Sequence, residues 1–82
     1  MALLTYPLAD KGDRPLYLYL YECVRDDIVN KKIAPGEKLP SKRVMAGHLN
    51  VSLNTVAAAY EMLATEGYII SNERSGYFAQ DV

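Results

Sequence analysis

At 82 residues, with 50% apolar residues and a formal net charge of −1, the chain has room for one small domain and no second core. A single cysteine, Cys23, excludes an internal disulfide or a cysteine-built metal cluster, and the lone histidine, His48, leaves little for catalysis. No apolar run approaches the roughly 18–20 residues that cross a bilayer, and the N-terminus lacks the pattern of a secretory leader, so a cytoplasmic domain without a membrane partner is expected.

Residues 1–13 show no sustained periodicity and read as a loose N-terminal arm, with the folded domain over 14–82. Asp13 is placed as the N-cap of a first helix over 14–31, with Pro15 in its first turn, where a missing N–H costs nothing. Leu16 to Tyr21 alternates as a strand would. The stripe Leu16, Tyr17, Leu20, Tyr21, Val24 and Ile28 nevertheless continues at helical spacing and is too long for a strand. Pro35-Gly36 breaks the chain, and Leu39-Pro40 brings it onward extended, with Lys38-Leu39 sufficient for a very short strand. Ser41 then caps a second helix over 41–49, with Val44, Met45, His48 and Leu49 on its inner side; His48 is expected there as a partly buried core residue. Asn50 suits a left-handed turn, and Ser52 caps a third helix over 52–66 whose core stripe is Val56, Ala59, Tyr60 and Leu63. Gly67 stops it. Residues 68–71 and 77–79 read as short strands joined across 72–76. The fold class is therefore α+β, mainly α: a winged helix-turn-helix of three helices followed by a two-stranded β-hairpin wing.

Function concentrates between Ser41 and Glu66. In a helix-turn-helix the second helix of the pair enters the major groove of DNA while the first props it against the backbone. That arrangement needs a small residue where the helices cross, an apolar one in the turn and a β-branched one early in the reading helix; Ala46, Val51 and Val56 stand there. With the core stripe turned inward, Asn54, Ala58, Glu61 and Thr65 face outward, and Ala57 lies to one side. Asn54, in the first turn, can pair with adenine in bidentate fashion, and the small alanines let the helix sit deep. Ser52 and Thr55 can offer hydroxyls to phosphate at a helix N-terminus, although Ser41 and Ser52 are N-caps before they are anything else. Lys38, Lys42 and Arg43 form a basic cluster, Arg43 being the strongest single candidate, and the hairpin tip adds Arg74, Ser75 and Gly76. Glu61 and Glu66 would repel phosphate, so only the first half of the third helix should enter a groove.

The run Gly36-Glu37-Lys38-Leu39-Pro40-Ser41-Lys42-Arg43, with Leu49-Asn50-Val51-Ser52 and Asn54-Thr55-Val56, resembles the N-terminal domain of the GntR family, as does the opening Pro15-Leu16-Tyr17. The stretch from Asn54 through Tyr60-Glu61 and Glu66-Gly67-Tyr68 to Arg74-Ser75-Gly76-Tyr77-Phe78 is most similar to its MocR subfamily. The resemblance implies an operator-reading domain of a bacterial regulator, with DNA contacts at Ser41, Arg43, Ser52, Asn54, Thr55 and Ser75-Gly76. It implies no cofactor in this chain, and pyridoxal phosphate only in a fused C-terminal domain similar to aminotransferases. Three departures stand out: Leu53 and Ala57 occupy positions where the family commonly has arginine, and Glu73-Arg74 replaces a more usual Pro-Gly at the tip. Fewer cations on the reading helix should flatten the salt dependence of binding, with Arg74 restoring part of the charge.

Leu18, Tyr19 and Val29 fall off the core stripe of the first helix. They either form an interface, with a second copy or a C-terminal domain, or cover the N-terminal arm. A homodimer on double-stranded DNA is the expected assembly. The competing function is a winged-helix docking module for proteins, which would have no need of the cluster Lys38, Lys42 and Arg43 beside Asn54. An enzyme is not expected: no nucleophile–base pair or phosphate-cradling glycine loop is present.

Overall fold

In the computed structural model, which describes residues 6–72 and 74–82, the first helix, α1 (Leu16–Val29), begins at Pro15 rather than at Asp13. Pro15 itself occupies the cap position with an extended ψ of 146° and no side-chain cap. The physical reason lies in the proline: the residue before it is driven out of the helical region, so Arg14 cannot be a helical first residue behind an Asp13 cap. The Pro15 carbonyl instead accepts from the Leu18 and Tyr19 amides at 3.1 and 3.0 Å. At the other end α1 stops at Val29, earlier than the expected 31, and Lys31 turns the chain in the left-handed region at φ 64°. That conformation costs about 1 kcal/mol or more for a non-glycine residue. Ile33, buried at once by the turn, offsets it.

The expected stripe of α1 holds for Leu20, Tyr21, Val24 and Ile28, all buried, but Tyr17 is 40% exposed. Tyr19, expected off the core, is buried. Its hydroxyl donates to the Pro7 carbonyl at 2.6 Å, and the Tyr6 hydroxyl donates to the Asp27 carboxylate at 2.9 Å. The described part of the arm is therefore docked on α1 and includes a 3₁₀ turn over Leu8–Lys11. Of the two readings of Tyr19, covering the arm is the one realised; residues 1–5 lie outside the described residues.

The second and third helices, α2 (Lys42–Leu49) and α3 (Leu53–Thr65), begin at their expected serines: Ser41 Oγ accepts from the Val44 amide and Ser52 Oγ from the Thr55 amide, each at 3.1 Å. Between them Asn50 takes the left-handed conformation (φ 58°, ψ 48°), and the Val51 amide donates to the Ala46 carbonyl. The inner face of α2 is Met45, Ala46 and Leu49, whereas Val44 and His48 are exposed, so the expected stripe is rotated. The rotation turns Ala46 inward, whose small side chain lets helices approach closely. In α3 the expected core of Val56, Ala59, Tyr60 and Leu63 is buried throughout.

Gly67, at φ 86°, turns the chain into an antiparallel hairpin of β1 (Ile69–Asn72) and β2 (Gly76–Ala79), in register Ile69↔Ala79 through Asn72↔Gly76. The short strand expected at Lys38-Leu39 is an antiparallel bridge of Lys38 to Phe78. The Gly36 and Leu39 amides donate to the Ala79 and Tyr77 carbonyls, and the Ala79 amide to the Glu37 carbonyl. Both edges of β2 are thus paired, and the wing is tied to the segment that leads into α2.

Candidate nucleic-acid interface

The Ser41 cap starts α2 beside three cations in sequence, and the Ser52 cap starts the helix on which the outward residues lie. Asn54 is exposed in the first turn of α3, with Ala57 and Ala58 half-buried behind it. Ser52 and Thr55 do more than cap: their hydroxyl oxygens lie 2.8 Å apart. One hydroxyl proton is therefore spent between them, and a single free hydroxyl proton remains for a phosphate at this helix end. Two independent donors, as expected from the residues alone, are not available together.

The wing places its cations through packing that the sequence reading did not foresee. A Cβ on Gly76, whose φ is 106°, would meet Lys38 Cε at 3.2 Å, so the Lys38 side chain lies across the glycine at the tip end of β2. Lys42 Nζ sits 5.9 Å from the centroid of the Tyr77 ring, at the outer range of a cation–π contact. Tyr77 in turn packs edge-on to Tyr60 at 4.9 Å, and the buried Tyr60 hydroxyl donates to the Pro40 carbonyl at 2.8 Å. Lys38 and Lys42 are thereby brought to the wing by β2, while Arg43 is exposed on α2. At the tip, Asn72 Oδ1 accepts from the Arg74 amide and the Asn72 carbonyl from the Ser75 amide, both at 3.1 Å, an asparagine-locked turn. Glu73, the other unusual tip residue, lies outside the described residues. The only sequence cue for the Lys42 contact was a tyrosine in the last strand; its partner is set by tertiary packing.

Electrostatics separate two ends of the molecule. Among the described residues, ion pairs join Arg14 to Glu22, Arg25 to Asp26 and Lys31 to Asp81, so acids of α1 and of the C-terminal residues neutralise three cations in and beside α1, with Lys11 and Lys32 outside these pairs. Lys38, Lys42, Arg43 and Arg74 take no part in these pairs. The second half of α3 is acidic instead. Glu61 and Glu66, with Tyr17, Ala58, Met62 and Thr65, line a depression of about 330 Å³ against α1, and the Tyr21 hydroxyl donates to the Glu66 carboxylate. A polyanion would meet the positive end of the helix dipole at the N-terminus of α3 and carboxylates along its second half.

This arrangement has known counterparts. A model of the family described as bacterial regulatory proteins, gntR family, matches residues 16–78. The uncharacterized HTH-type transcriptional regulator YdeL of Bacillus subtilis is 51% identical over 67 residues, covering 82% of this chain and 14% of YdeL. The probable rhizopine catabolism regulatory protein MocR of Rhizobium meliloti is 41% identical over 65 residues, covering 79% of this chain and 13% of MocR. The chain thus spans only a small part of the length of these relatives. Among solved structures, AraR(DBD) in complex with operator ORE1 is similar with a TM-score of 0.76 at 27% identity, covering 94% of each chain. With the match running from α1 through the wing, this chain belongs to the gntR family of bacterial regulatory proteins.

Proposed function

We propose that this chain binds double-stranded DNA sequence-specifically, as the operator-reading domain of a cytoplasmic bacterial transcriptional regulator of MocR type. The observation that carries it is that Lys38, Lys42, Arg43 and Arg74 lie outside the described ion pairs, with Lys38 and Lys42 held at the wing by β2, in a fold whose α3 exposes Asn54 in its first turn. α3 would enter the major groove by its first turn, with Asn54 reading a base edge, and Ser52 or Thr55 offering a hydroxyl to phosphate. Ser41, Arg43 and Lys42 would hold the backbone on the α2 side, and Lys38, Arg74, Ser75 and the close-packed Gly76 would bring the wing to the adjacent backbone or minor groove. A protein-docking module would have no use for this charge.

The chain's role is binding rather than catalysis, in keeping with relatives named as transcriptional regulators. Pyridoxal phosphate is held as a Schiff base by an enclosed lysine, and among the described residues no lysine is buried. The cofactor would therefore belong to a fused C-terminal domain. Dimerisation belongs there too: with Tyr19 covered by the arm, the exposed apolar residues of α1 are Tyr17 and Val29, which lie about 120° apart around the helix and form no strip.

The test is binding to DNA fragments selected from a random pool, followed by fluorescence anisotropy. Arg43→Ala should weaken binding about tenfold or more, the ordinary cost of a lost charged hydrogen bond, with the thermal melt unchanged. Asn54→Ala should broaden the selected sequence more than it lowers total affinity. Equal affinity of wild type and Arg43→Ala would overturn the proposed docking face.

A further inference from the structure

Leu53 opens α3 with 42% of its surface exposed. It takes no part in the core, which α3 enters through Val56, Ala59, Tyr60 and Leu63. Helical side chains lean toward the N-terminus, so Leu53 reaches past the first turn toward whatever that end of the helix faces. Ala57 follows one turn later on the same side, half-buried, and α3 holds no lysine or arginine from Leu53 to Thr65. One flank of the leading turn is thus without donor, acceptor or charge, while Asn54 stands beside it.

A phosphate gains nothing from such a flank. In the major groove one base offers an apolar group of its own, the C5-methyl of thymine, which distinguishes it there from every other base. We propose that Leu53, with Ala57 beside it, is a specificity-determining residue that reads a thymine methyl in the operator. The inference rests on the DNA-binding function proposed above and adds to it the class of base that is read. It also accounts for a reading helix devoid of cations: Asn54 supplies the hydrogen-bonded discrimination, Leu53 the apolar one, and the cations of α2 and the wing hold the backbone.

The experiment replaces thymine by uracil, which removes the methyl and leaves base pairing intact. Duplexes are selected from a random-sequence pool by the 82-residue chain. Each enriched thymine is then exchanged for uracil singly, and affinities are measured by anisotropy. The wild type should lose about three- to fivefold at one position or two adjacent ones, the effect of one buried methyl group. Leu53→Ser should bind the thymine and uracil duplexes alike at that position, with an unchanged thermal melt because the side chain is exposed. Leu53→Met should retain the discrimination. Indifference of the wild type to uracil at every enriched position, or full discrimination surviving in Leu53→Ser, overturns the inference and leaves DNA binding intact. Failure to enrich any sequence overturns the DNA reading itself, and this inference with it.

Discussion

Tyr60 packs its ring edge-on to Tyr77 of the wing and donates its hydroxyl to the Pro40 carbonyl immediately before the α2 cap, so one side chain of α3 braces both structures that carry the cations. Its ring is almost completely buried. Removing the hydroxyl strands a carbonyl in the interior, which costs about 1–3 kcal/mol. Tyr60→Phe should accordingly lower Tm by several degrees, at about 4–8 °C per kcal/mol for a domain of this size, measurable by circular dichroism. Burial also raises the pKa of the Tyr60 and Tyr6 hydroxyls, Tyr6 being raised further by its hydrogen bond to Asp27. For a group whose pKa is higher in the folded state, stability is fully present below the unfolded value and is lost as pH rises above it. The domain should thus unfold progressively above about pH 10, the ordinary tyrosine pKa. A Tyr6→Phe/Tyr60→Phe double variant, less stable at neutrality, should show a flatter loss in alkaline melts.

At the scale of elements, the N-cap of α3 is a stabilising cap and the proposed place of a DNA contact, and the two can be separated. Ser52→Ala removes the acceptor for the Thr55 amide and should cost about 1 kcal/mol. Ser52→Asp keeps a capping oxygen and adds a charge favourable to the helix dipole, so the melt should hold or rise. The same carboxylate would face phosphate. Ser52→Asp should therefore abolish DNA binding in a mobility-shift assay while the protein remains folded; retained affinity would remove the α3 N-terminus from the interface. The hairpin depends on the bridge from residues 36–39 to β2, which places the wing against the lead-in to α2.

For the whole molecule, the balance of charge decides how binding responds to salt. Net charge is −1, yet Arg14, Arg25 and Lys31 are neutralised by ion pairs; of the described cations outside those pairs, Lys11 and Lys32 are not part of the proposed interface, and Lys38, Lys42, Arg43 and Arg74 are the four that belong to it. If each releases one counterion, log K should fall with log[salt] at a slope no steeper than about −4 per domain, and Lys42→Ala should reduce it by about 1. A steeper slope would require phosphate contacts elsewhere on the chain.

The order of elements, both serine caps, the Asn50 turn and the core of α3 were legible in the sequence, because each depends on residues within a turn of one another. The start of α1 was legible too, once the restriction that Pro15 places on Arg14 is weighed above the capping preference of Asp13. What the tertiary structure decided is what meets across long separations. Tyr19 lies under the arm rather than at an interface, and α2 is rotated so that Ala46 packs inward and His48 lies outside. Lys42 is held against Tyr77, and Lys38 crosses Gly76. Periodicity marks which side of a helix is apolar but only approximately how that side is turned, since the angle is set by the partner it packs on. α3 and the residues of its first turn follow from local sequence; Lys38 and Lys42 come to the wing only once β2 pairs with the segment that leads into α2.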